Sequence, residues 1–155
     1  MRLIVHLQLV GEAADLLMQA YARFGIDFDA QLIELGAAIH DAGKILHPAE
    51  LDEPGAEHEA SGEALLLAHG VQPDVARCCV SHAAWQGADV SFEERSVALA
   101  DKLWKGKREP ALELRVVDDV AFRLGVGRWD VFAELDAVFE DIAAGASPRL
   151  ERGRA

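Results

Sequence analysis

The chain has 155 residues, 51% of them apolar, which excludes a wholly disordered chain and gives material for one core rather than two. Its 27 acidic against 15 basic residues leave a formal net charge of −12, a field that repels a bare phosphate backbone and excludes a general nucleic-acid binder. A small anionic substrate stays open, because a few local cations or metal ions reverse the sign inside a pocket.

The opening segment, MRLIVHLQLV, is apolar but interrupted by His6 and Gln8, and it lacks a small-residue cleavage pattern. It reads as neither a signal peptide nor a membrane span. Leu3, Leu7, Val10, Ala14, Leu17, Tyr21 and Phe24 alternate steps of four and three, which predicts a long amphipathic helix closed by Gly25. Phe28, Leu32, Leu35 and Ile39 predict a second, with Asp27 or Asp29 as N-cap and Gly43 as the stop. The turn-forming loop HPAELDEPG follows. A third helix starts near Ala56, where Glu57 and Glu59 suit its positive end, and finishes at His69-Gly70. Pro73 suits the first position of a fourth, reaching His82 to Trp85. Ser91-Phe92-Glu93-Glu94 reads as a capping box that opens a fifth helix through Trp104. Pro110 opens a sixth, ended by Gly125 or Gly127. Phe132, Leu135, Phe139 and Ile142 mark a seventh, ended by Gly145 and Pro148. The expectation is one all-α domain over residues 1–145, a bundle of six to seven helices, with 146–155 as a flexible, frayed tail. Cys78 and Cys79 are adjacent and build neither a disulfide framework nor a four-cysteine zinc site, so a reducing, cytoplasmic setting is expected.

Histidine or aspartate interrupts the apolar stripes in four places. His6 lies one turn before Val10, and His40-Asp41 follows Ile39. His82 continues the line of Val75 and Cys79, and Asp101 falls between Val97 and Trp104. Each alone reads as a hydrogen-bonded boundary residue or a solvated carboxylate. A carboxylate buried without a partner costs several kcal/mol, roughly, and a metal ion is the strongest partner available. The segment AAIHDAGKI is the sharpest signal. A helix ending in His-Asp directs both side chains to one end of a bundle, where imidazole with carboxylate suits borderline divalent ions. Lys44 stands four residues after His40, within reach of a phosphate oxygen beside such an ion, or else as a surface lysine at a helix end.

In this order the residues resemble the HD-domain superfamily, whose pattern is His, then His-Asp, then a distant Asp. The match is carried by His6, by His40-Asp41 in AAIHDAGKI and by Asp101 in SVALADKLW, over about residues 1–105. His58 in AEHEASGEALL, with Gly62 one turn later, and His82 in CVSHAAW resemble two added histidines found in members that hold two metals. The resemblance implies one divalent ion on His6, His40, Asp41 and Asp101 and a second on Asp41, His58 and His82, with Asp41 bridging. One or two of Mn, Fe, Co, Ni, Zn or Mg are the implied cofactors, and Asp41, Lys44 and His58 the implied catalytic positions. The loop after His40 is also similar to that of the cyclic-dinucleotide phosphodiesterase branch, the HD-GYP proteins. No GYP follows His82, where AAWQGADVS stands instead, and this departure argues against a cyclic dinucleotide.

The activity implied is phosphoester hydrolysis by metal-activated water, on a small phosphorylated substrate or nucleotide. Two alternatives stay open: a di-iron oxygenase of the same superfamily cleaving a C–C or C–P bond, and a non-catalytic, metal-stabilised regulatory module. His47 and His69 are read as a loop and a helix-end histidine without ligand roles. The basic run Lys102, Lys105, Lys107, Arg108 is read either as an attractant for phosphate or as a solvated helix end. Association with a membrane is not expected, and oligomerisation is left open.

Overall fold

The computed structural model describes residues 2–155. Helix α1 (Arg2–Phe24) packs one face on the core and there buries Val10, Ala14, Leu17 and Tyr21. By length and hydropathy it could cross a membrane, but here its apolar stripe is packed inside the bundle as a core helix's is. Against it lie α2 (Ala30–Ile39), α6 (Phe92–Leu103), α8 (Arg128–Ala144) and α9 (Ala146–Arg154). The 3₁₀ turns Ala42–Ile45 and Pro48–Leu51 lead from α2 into α3 (Glu57–Ala68), which packs on the first turn and on α4 (Pro73–Ala76) and α5 (Cys78–Ser81). Helix α7 (Pro110–Leu124) closes the far side against α6 and α8. Among the described residues there is no strand.

The local signals act as their chemistry requires. Asp29 accepts from the Leu32 N–H at 3.0 Å and caps α2. Ser91 and Glu94 form the reciprocal capping box of α6, with bonds of 3.1 and 2.7 Å. Gly25 and Gly125, at φ +75° and +69°, take the left-handed conformation that ends α1 and α7. In the core the Tyr21 hydroxyl donates to Ser96 Oγ at 2.9 Å, because the Ser96 proton goes to the Phe92 carbonyl, also at 2.9 Å. A phenol at a fully buried position therefore has its partner.

The structure differs from the sequence expectation in four ways. The buried face of α2 is Ile33, Gly36 and Ala37, followed by His40, while Leu35 is exposed. Small residues won the contact: a Cβ on Gly36 would lie 2.9 Å from both Cys78 Sγ and Val97 Cγ2, so the backbone of α2 itself packs there. Gly43 is not the stop of α2, which ends at Ile39; it lies in the following 3₁₀ turn. The fourth helix is split at Arg77, where the Val80 N–H bonds the Arg77 carbonyl (3.0 Å) in a tightened turn. Residues 146–154, expected to fray, form α9. The buried Arg149 donates to the Ile142 carbonyl at 2.7 Å, and Arg152 pairs with Glu12 of α1 at 2.6 Å. Pro148 falls in the first turn of α9, where no intrahelical N–H bond is lost.

Candidate metal centre

Five elements end or turn at one place. Helix α1 contributes His6, the end of α2 His40 and Asp41, the first turn of α3 His58, the end of α5 His82, and α6 Asp101. Two glycines make the approach possible. A Cβ on Gly43 would fall on the His58 carbonyl, and one on Gly62 would sit 2.9 Å from the Gly43 nitrogen. The turn that follows Asp41 thus rests directly on the helix that carries His58.

The six side chains form two groups that share Asp41. In one, ligand atoms of His6, His40, Asp41 and Asp101 lie within 4.8 Å of one another; in the other, those of Asp41, His58 and His82 do. The two oxygens of Asp41 divide the work. Oδ2 faces His6 Nε2 at 2.8 Å, Lys44 Nζ at 2.9 Å and His40 Nε2 at 3.6 Å. Oδ1 faces His58 Nε2 at 3.3 Å and His82 Nε2 at 3.5 Å. Asp101 Oδ1 lies 3.3 Å from His40 Nε2 and 3.8 Å from His6 Nε2.

Three of the four rings are held from behind. His40 Nδ1 donates to the Ala37 carbonyl and His82 Nδ1 to the Cys78 carbonyl, each at 2.9 Å. A carbonyl only accepts, so Nδ1 carries a ring proton in both, and each ring turns an Nε2 lone pair to the centre whenever it is neutral. His58 Nδ1 donates to the carboxylate of Glu50, with the same consequence. A ligand held by a hydrogen bond on its far nitrogen is the usual second layer of a metal site.

The charges in the cluster suit a cation. Burial opposes the ionised form of Asp41, but the hydrogen bond from His6 and the surrounding imidazoles and Lys44 win, and its carboxyl lies far below the ordinary range. Asp101 is likewise held low against burial, through His40. Burial would lower His40, but its bond to Asp101 raises it. Burial, then the charge of His40, pushes His82 down to about 4. At neutral pH a His82 lone pair therefore faces an ionised oxygen. That oxygen, Asp41 Oδ1, is buried and takes no hydrogen bond. An unserved carboxylate oxygen ringed by imidazole nitrogens is the donor chemistry of a divalent ion such as zinc, manganese or iron, so the residues fit the group.

The remaining candidates fall outside the cluster. Lys44 is paired with Asp41 and lines a cleft of about 270 Å³ that opens beside His6 and Trp104. His47 bonds Ser61 Oγ at 2.9 Å and faces the exposed Glu57 at 3.3 Å; His69 bonds the Leu65 carbonyl at its helix end. Of the basic run, Arg108 is taken up by Glu113, Asp136 and Glu140, where it ties α7 to α8, and it does not face the cleft. Only Lys105 of that run lines it. A larger groove of about 480 Å³, beside α3 and α5, holds none of the six clustered residues. Glu50 was not found by sequence reasoning. It lies in a loop with no periodicity, and nothing local distinguishes it from Asp52 or Glu53.

A protein-family model described as HD domain matches residues 3–119. No curated protein and no solved structure matches the chain.

Proposed function

Because the chain belongs to the HD-domain family, whose members are largely metal-dependent phosphohydrolases, we propose that it hydrolyses a phosphoester of a small molecule or nucleotide, using one or two divalent ions. The ions would be held by His6, His40, Asp41 and Asp101, and by Asp41, His58 and His82. The observation that carries this reading is Asp41 Oδ1, buried without a hydrogen bond while two imidazoles tied from behind face it.

When bound, divalent ions supply Lewis acidity toward the phosphoryl oxygens and make water nucleophilic near neutral pH. The chain's own residues do the rest. Asp41 places negative charge between the two groups of imidazoles and so sets where cations sit. Lys44, on the cleft side of Asp41, adds a cation aimed at charge that builds on the phosphoryl oxygens in the transition state. His6 lines the same cleft and keeps Asp41 Oδ2 oriented by its hydrogen bond. His58 is buried and does not line the cleft, so its part is to hold the cation, with Glu50 fixing its tautomer. The cleft is the route by which a phosphoester reaches the cluster.

The test is phosphate release from nitrophenyl phosphates and nucleotides by protein purified with its own metal, with O₂ uptake followed in parallel. Phosphate release that a chelator stops is the expected result. Two irons per chain with O₂ consumption and no phosphate release would replace this reading with oxygen-dependent C–C or C–P cleavage. Metal bound without turnover of either kind would replace it with a regulatory module.

A further inference from the structure

The cleft beside His6 concentrates positive charge in a chain whose net charge is −12. Arg2, Lys44, Lys105 and Arg154 all line it. Two of these are already served: Arg2 pairs with Asp52 at 2.7 Å and Lys44 with Asp41 at 2.9 Å. Lys105 and Arg154 make no ion pair with any described residue. Both side chains are exposed, so each is free to take an anion that enters the cleft.

Arg154 is not at the cleft through a loose chain end. It belongs to α9, which is docked by the Arg149 bond to the Ile142 carbonyl and the Arg152–Glu12 pair. Helix α9 lies wholly beyond residues 3–119, so this wall is an addition to the part of the chain that matches the family. The apolar Trp104 and Leu150 line the cleft as well. At about 270 Å³ the cleft is small for a ligand site, whose usual range is about 300–1,000 Å³.

Resting on the hydrolase reading, we infer that the substrate is a small molecule with a second anionic group besides its phosphoryl group, and that Lys105 and Arg154 hold this second anion. The chemical class is a phosphorylated carboxylic acid or a bisphosphate. The phosphoryl group lies beside His6 and Lys44, and the second anion beside Lys105, which follows α6, and Arg154 of α9. Lys105 and Arg154 are binding residues that decide specificity, and no chemical step is assigned to them.

The experiment is calorimetric titration of the protein, carrying its metal as purified, with phosphonoacetate and with methylphosphonate. These differ by one carboxylate and neither is a phosphoester. The wild-type chain is expected to prefer phosphonoacetate by about tenfold or more, the yield of one charge-assisted contact pair. In the double variant Lys105→Gln, Arg154→Gln the affinity ratio is expected to fall toward one. Lys107→Gln, on the same loop but outside the cleft, is expected to keep it. A wild-type ratio near one, or a ratio that survives in the double variant, would overturn the inference. The two readings fail separately. If the ratio collapses as stated and no phosphoester is hydrolysed, the two-anion cleft stands and the hydrolase reading falls. If phosphate is released and the ratio is near one, the hydrolase reading stands and this inference falls.

Discussion

The Glu50 carboxylate reaches eight residues along the chain to accept the Nδ1–H of His58, and the backbone N–H groups of Glu57 and His58, each at 3.1 Å, complete its contacts. One side chain thus caps α3, whose own N-cap residue, Ala56, offers no side-chain bond, and sets the tautomer of a clustered imidazole. Replacing Glu50 by Gln keeps an acceptor but removes its charge. The expected loss of metal affinity is about tenfold, the lower end of the effect of such outer partners. Glu50→Ala is expected to lose more, together with about 1 kcal/mol of stability through the missing cap. Competition against a coloured chelator and a urea melt measure the two.

Chelation should destabilise the fold as well as stop turnover, because the cluster joins α1, α2, α3, α5 and α6. A ligand present at one hundred times its Kd contributes about 2.7 kcal/mol, which for a domain of this size corresponds to roughly 5–10 °C in Tm. A thermal melt with and without excess EDTA is expected to show that drop, and re-addition of the native metal to reverse it.

Gly43→Ala is expected to damage the site more than any substitution of a surface ligand neighbour. The added Cβ meets the His58 carbonyl, which is backbone and cannot rotate away. The cost is about 3 kcal/mol or more, at the upper end for overpacked cores, with metal affinity falling alongside stability. Gly25→Ala is the comparison: its added Cβ meets nothing within 4 Å, so its cost reflects the positive φ alone and metal binding is expected to persist. Denaturant melts and metal titrations of the pair separate the effects.

The two thiols are expected to be inert in the folded protein. Burial pushes Cys78 and Cys79 each up to about 12, so at pH 8 the reactive thiolate is scarce, and both side chains are enclosed. A thiol-counting reagent at pH 8 is expected to find both only after unfolding.

Most of the candidate ligands were legible because they interrupt a helical stripe: His6 before Val10, His40-Asp41 after Ile39, His82 after Cys79, Asp101 between Val97 and Trp104; His58 interrupts none and was marked only by the resemblance of its segment to the family. Burial on a helix face is periodic, so a polar residue in phase with it stands out. The α2 stripe misled for the same reason. Period alone weights Leu32 and Leu35, whereas close contact with Cys78 and Val97 selects the smaller Gly36. Helix α9 was not legible because ASPRLERGR has little apolar content, and its place depends on partners distant in the chain, the Trp104 carbonyl and Glu12. Glu50 was hidden likewise, since its role exists only once α3 turns back over the loop.

The most direct test is elemental analysis of the wild-type chain and of Asp41→Ala, both purified without chelator and without added metal. Asp41 is the one side chain common to both groups of ligands. One or two divalent ions per wild-type chain, and none in the variant, is the expected result. Equal metal in the two proteins, or a wild-type chain that takes up no divalent ion even after dialysis against manganese, iron or zinc, would contradict it.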